Sequence, residues 1–128
     1  MTEAAISPED REKVLASATD YIESWLDGDA GRMARCMHPE LAKRSVKNDP
    51  ATGGCSVETL TRDQMVAFTA AGEGTTLERP YEVSILDAFR DIATVRVLSS
   101  AYMDYLHIAR CGSEWLILNV LWQSLPDR

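Results

Sequence analysis

This chain has only three cysteines, Cys36, Cys55 and Cys111, and no CxxC pair among them. An odd count at such spacing argues against a disulfide framework and fits a reducing cytoplasm. Basic residues are scarce as well. Thirteen Lys+Arg face 20 Asp+Glu, for a formal net charge of −7. A nucleic-acid binder needs clustered cations for the phosphates, and the densest basic window, Ala42-Lys43-Arg44-Ser45-Val46-Lys47, is short. No apolar run approaches the ~18 residues of a membrane span. The start, Met1-Thr2-Glu3-Ala4-Ala5, is acidic, with no apolar stretch behind it to make a signal peptide. Nucleic acid and membrane are therefore not expected partners, and the expected location is the cytoplasm. Also missing are a nucleophile elbow, a phosphate loop and a dinucleotide fingerprint: Gly72-Glu73-Gly74 lacks the third glycine and a preceding strand. No cofactor is implied.

What is present is ordinary for one globular domain: 128 residues, 45% hydrophobic and 26% charged. We read a single domain over residues 1–128, with residues 1–6 as a flexible lead. Ser7-Pro8-Glu9-Asp10 opens a helix: Ser7 caps it, Pro8 takes the first helical position and two acids lie in the first turn. Val14, Leu15, Ala18, Tyr21, Ile22, Trp25 and Leu26 then form one apolar stripe, which stops at Asp27-Gly28. Asp29 caps a second, shorter helix that must end near His38, because the residue before Pro39 is pushed out of the α region. Glu40–Val46 is ambiguous, and Asn48–Gly54 reads as a loop. Thr61 with Gln64 forms a capping box for a third helix, about Arg62 to Ala71, ending at Gly72.

From Tyr81 onward the period becomes 2. Four strands follow, about Tyr81–Ile85, Ala93–Val97, Tyr102–Arg110 and Glu114–Gln123, joined by short connections. Helices first and strands afterwards mean α+β: an antiparallel sheet of about four strands packed on three N-terminal helices. Gly112-Ser113 fits a two-residue type II′ hairpin turn. Counting outward from it puts Asp104, Leu106, Ile108, Trp115, Ile117, Asn119 and Leu121 on one face. Tyr105, His107, Ala109, Leu116, Leu118, Val120 and Trp122 fall on the other. Both faces are largely apolar, and the helices can cover only one. The second needs a partner, and a second copy of the chain is the simplest. Tyr105, His107, Leu116, Leu118, Val120 and Trp122 are the expected homodimer interface.

The long helix with Tyr21 and Trp25, then Gly28-Asp29-Ala30, His38-Pro39-Glu40-Leu41, Asp91-Ile92-Ala93, Asp104-Tyr105-Leu106-His107 and Trp115–Trp122 together resemble the nuclear transport factor two-like superfamily. The resemblance covers about residues 7–123 and is closest to the putative lumazine-binding branch, near the SnoaL-like polyketide cyclases. It implies a cone, a curved sheet wrapped around a long helix with a cavity at the open end, and commonly a dimer through the outer sheet face. It does not imply a reaction, since that superfamily holds isomerases, dehydratases, cyclases and accessory subunits.

Within that frame Asp104 is the candidate catalytic residue. A carboxyl on an apolar face is desolvated, its pKa rises unless a cation is near, and such a group serves as general acid or base. The alternative is a rim position paired with Arg44. The candidate ligand-binding residues are Tyr21, Trp25, His38, Arg44 and Asn119. Tyr21 and Trp25 are core aromatics that can also line a pocket. His38 lies at a helix end that favours positive charge, as general acid or cap. Arg44 is an anion clamp or a surface cation. Asn119 orients a polar ligand or anchors backbone. Cys36, His38, His107 and Cys111 do not converge on a metal. Three functions follow: a protein binding a small apolar or aromatic molecule; a cofactor-free isomerase, dehydratase or cyclase using Asp104; or a non-catalytic dimeric module whose cavity is filled by Met33, Met37 and Phe68. The branch name points to a pteridine or flavin-like ligand, but nothing basic or glycine-rich suits a flavin nucleotide.

Overall fold

The structure is a computed structural model, and it describes residues 6–126. Residues 1–5 of the expected lead lie outside the described residues, while Ile6 packs against the core. Helix α1 runs Pro8–Asp27. Ser7 caps it by accepting a hydrogen bond from the Asp10 amide, and Gly28 ends it in the left-handed region at φ 71°. Helix α2, Ala30–Cys36, starts from Asp29, whose side chain accepts from the Arg32 amide. It stops at Cys36, two residues short of His38, because Met37 already has extended backbone and begins a strand. Helix α3, Arg62–Ala70, carries the complete Thr61–Gln64 capping box.

Six strands form one curved, open sheet rather than about four. They are β1 (Met37–Asn48), β2 (Cys55–Thr61), β3 (Glu82–Phe89), β4 (Ile92–Leu98), β5 (Tyr102–Cys111) and β6 (Glu114–Ser124), in the order β2-β1-β6-β5-β4-β3. The two added strands come from the segments read as ambiguous and as following a loop. β1 and β2 form an antiparallel hairpin, and β1 joins β6 in parallel, so the sheet is mixed. Helix α1 lies across the concave side, touching β3, β4, β5 and β6. Its stripe of Val14, Ala18, Tyr21, Ile22 and Leu26 meets Val95, Val97, Leu106, Ile108, Ile117 and Val120 in one buried core. Truncating one of the large members to alanine costs about 2–5 kcal/mol.

The β5–β6 hairpin begins as the turn chemistry requires. Gly112 sits at φ 67° and Cys111 pairs with Glu114. Regular register holds as far as Ile108↔Ile117, after which His107 pairs with Asn119. One extra residue, Leu118, is accommodated in β6 as a bulge. Side chains alternate along a strand, so one inserted residue exchanges the faces of everything beyond it. Val120 and Trp122 therefore turn inward, Val120 to 2% exposure, while Asn119 and Leu121 turn outward. This corrects the expected placement of all four. Asp104, Leu106, Ile108, Trp115 and Ile117 stay on the concave side, and Tyr105 and His107 on the convex side.

Candidate functional site

Three elements converge on one buried hydroxyl. Tyr21 projects from α1 into the concave side and is 2% exposed. Its hydroxyl donates to Asp104 Oδ2 at 2.6 Å and accepts from Lys43 Nζ at 2.7 Å. Asp104 comes from β5 and is 5% exposed. Lys43 comes from β1, where it pairs with Val120 and so shares its inward face. The Lys43 ammonium also stands 5.2 Å from the Tyr21 ring centroid, 5.8 Å from that of Trp25 and 5.4 Å from that of Trp122. Three π faces around one cation favour its charge and fix its position. Trp122 is held in turn by an edge-to-face contact with Tyr102, with centroids 5.3 Å apart.

These residues line a cavity of about 170 Å³ together with Leu60, Met65, Phe68 and Glu73. Its size is below the ~300–1,000 Å³ of drug-sized sites. Met33 and Met37 lie in the core instead, and Phe68 is 40% exposed beside the cavity.

Burial acts on each member of the chain. It pushes the Asp104 carboxyl above the usual carboxylate range, against the opposing pull of Lys43 and the Tyr21 hydrogen bond. It lowers the Lys43 ammonium, against the attraction of Asp104 and Glu58. It raises the Tyr21 phenol well above its ordinary value, with the Asp104 charge adding to the effect. Both charged partners are thus disfavoured by desolvation and favoured by each other. Asp104 Oδ1 is buried and has no hydrogen-bond partner. A buried acceptor without a donor costs about 1–3 kcal/mol.

Of the residues the sequence singled out, Tyr21, Trp25 and Asp104 meet in this cavity. Arg44 does not: it pairs with Leu121, faces outward and is exposed. Its neighbour Lys43 takes the inward position and is the cation beside Asp104. His38 lies at the start of β1, where Nδ1 accepts from the Glu40 amide at 3.0 Å. That bond ties the ring to the strand's own backbone and spends the ring nitrogen locally. Asn119 lines a shallow depression on the convex side with His107 and Thr94. Sequence reasoning missed Lys43 and placed Trp122 on the wrong face. The alternation of β1 singles out Lys43 once that segment is known to be a strand. No group of three or more His, Cys, Asp or Glu side chains suited to a metal occurs among the described residues.

Similar folds are found among solved structures. An NTF2-like protein of unknown function from Methylobacillus flagellatus is 13% identical, with a TM-score of 0.74 over 96% of this chain and 98% of that one. An NTF-2 like protein of unknown function from Silicibacter pomeroyi is 15% identical, with a TM-score of 0.72 over 94% and 100%. A ketosteroid isomerase-like protein from Erwinia carotovora atroseptica is 13% identical, with a TM-score of 0.62 over 94% and 100%. No curated protein matches the sequence. The profile described as putative lumazine-binding matches residues 9–123, nearly the whole chain. The chain therefore belongs to the putative lumazine-binding family, and its fold is that of NTF2-like proteins.

Proposed function

We propose that this protein binds a small, flat, uncharged molecule in the cavity between α1, α3 and the concave face of the sheet. The observation that carries the reading is Asp104, buried at the cavity wall with Oδ2 tied to Tyr21 and Oδ1 free to accept. Trp25 and Trp122 supply flat apolar walls. The family description supports a bicyclic heteroaromatic such as lumazine, whose ring N–H suits a free carboxylate oxygen. Titrating the intrinsic tryptophan fluorescence with lumazine tests this. Saturable quenching is expected, weakened about tenfold in Asp104→Asn, the loss of one charged acceptor being worth roughly 1.4 kcal/mol. Quenching that never saturates, or that Asp104→Asn leaves unchanged, sinks the reading.

A second reading is favoured by the same hydrogen bonds: Asp104 acts as general acid or base on the bound molecule. A carboxyl raised by burial and hydrogen-bonded to a phenol is a chemically suitable group to give a proton to a bound molecule or take one from it. The protein is also proposed to pair with a second copy through its convex face. Val46, Leu121 and Tyr105 form an exposed apolar row across the adjacent strands β1, β6 and β5, and a self-complementary patch of that kind closes as a two-fold dimer.

A further inference from the structure

Lys43 is one of only three lysines in the chain, with Lys13 and Lys47. It lines the cavity of the site, and its amine is hydrogen-bonded to a phenol that is itself bonded to a carboxylate. A purely structural cation is best served by a direct carboxylate contact. Here the nitrogen and the carboxylate are separated by a hydroxyl able to pass a proton either way, and the far carboxylate oxygen is free.

We propose that Lys43 is a nucleophile that captures a small flat aldehyde or ketone as an imine, with Tyr21 and Asp104 carrying the protons. This rests on the binding reading above and names its ligand class. The chemistry balances within the site. A proton passes from the Lys43 ammonium to the Tyr21 oxygen as the Tyr21 proton passes to Asp104 Oδ2, leaving a neutral amine and a neutral carboxylic acid. The amine nitrogen attacks the carbonyl carbon, and the carbonyl oxygen takes one proton to give the carbinolamine. Asp104 then returns its proton through Tyr21 to the departing hydroxyl, and the C–O bond breaks to release water. Of the three ammonium protons, two leave in that water and one stays on the iminium nitrogen, with Asp104 as its counter-ion. The groups facing Lys43 are Tyr21 from α1, Asp104 from β5 and, by charge, Glu58 from β2. Desolvation of both ends of the Lys43–Asp104 pair lowers the cost of neutralising them together. The aromatic rings that surround the nitrogen also suit a flat carbonyl compound.

The test uses benzaldehyde as probe and sodium cyanoborohydride to reduce any iminium to a stable benzylamine, followed by peptide mass mapping. At neutral pH, Lys43 is expected to be benzylated at least about tenfold faster than Lys13 or Lys47, both exposed internal controls. Tyr21→Phe, which keeps Asp104 and Lys43 but cuts the relay, is expected to slow Lys43 severalfold and leave the other two unchanged. Lys43→Arg is expected to remove the adduct from that peptide while keeping the positive charge. Labelling of Lys43 no faster than that of Lys47, in protein whose tryptophan fluorescence benzaldehyde quenches saturably, overturns the covalent step and leaves binding standing. Absence of both labelling and quenching overturns the two together.

Discussion

Lys43 and Asp104 lie on strands separated by β6, yet a single phenolic oxygen, that of Tyr21, bridges them at 2.7 and 2.6 Å. Three polar groups are thereby buried as one unit. Removing one member strands the others, whereas removing all three at once leaves apolar surface. Lys43→Met is expected to destabilise by about 2–4 kcal/mol near neutral pH, because Asp104 is left in a desolvated site without a counter-ion. The triple variant Tyr21→Phe, Lys43→Met, Asp104→Leu is expected to fall within about 1 kcal/mol of the parent. Urea unfolding of the parent, the three single variants and the triple variant measures the coupling, and additive losses would show that the three groups act independently.

The same residues give a pH dependence of definite sign. In Lys43→Met the folded-state pKa of Asp104, already raised by burial, loses the cation that opposes the rise. A carboxyl with a raised folded pKa is stabilising in its protonated form and penalises folding as pH climbs through that pKa. The deficit of Lys43→Met relative to the parent is therefore expected to be largest near pH 7 and to shrink towards about pH 4. Thermal melts of both proteins across that range check it; a deficit constant with pH would mean that lost packing, not charge, is responsible.

Gly74 packs against Trp25, which lines the cavity. A Cβ placed on it would stand closer to Trp25 Cδ1, Nε1 and backbone oxygen than real Cβ atoms ever stand to such neighbours. Because one of these atoms is backbone, rotating the indole cannot relieve the clash. Gly74→Ala is expected to cost about 1–3 kcal/mol and to shift Trp25 in the cavity. The checks are a lowered melting temperature and a changed tryptophan emission maximum. An unaltered spectrum would mean that the Glu73–Thr75 segment moved instead.

The extent to which this was legible in advance follows from local chemistry. Helix α1 was fully readable because Ser7-Pro8 and Gly28 are chemically distinct start and stop signals. β2 was unreadable because Cys55–Thr61 is exposed at nearly every position and shows no apolar alternation. β1 was obscured because its inward positions around the site include Lys43 and Ser45, the partners of Val120 and Trp122. That decided the cation: adjacent strand residues point to opposite faces, so the strand's existence alone separates Lys43 from Arg44. Asp104 was found because the turn at Gly112-Ser113 set its register and β5 has no bulge of its own. Asn119 and Trp122 were misplaced because the extra residue in β6 lies in a run of Leu, Ile and Val that gives no local signal of a bulge.

Cys36, the last residue of α2, is buried, and burial pushes its thiol up to about 12. Thiolate is the reactive form, so this cysteine is inert at neutral pH. Cys55 and Cys111 are exposed. Iodoacetamide on the folded protein is expected to modify those two and spare Cys36, with all three reacting in urea. Intact mass spectrometry counts the additions, and a third addition under native conditions would mean that α2 opens readily.

The convex face makes the last prediction, and the bulge in β6 sharpens it. Leu121, 53% exposed, and its partner Tyr105, 42% exposed, stand together on the outside, while Val120 beside them points into the core. If two copies meet on this face, a carboxylate at either outer position sets like charges against each other across the two-fold axis. Tyr105→Glu and Leu121→Glu are then expected to sediment as monomers with melting temperatures close to that of the isolated subunit. Val120→Glu buries an unpaired charge and is expected to unfold the chain instead. Sedimentation velocity separates the cases. A species that Tyr105→Glu and Leu121→Glu both leave unshifted, whether dimer or monomer, removes this face as the contact.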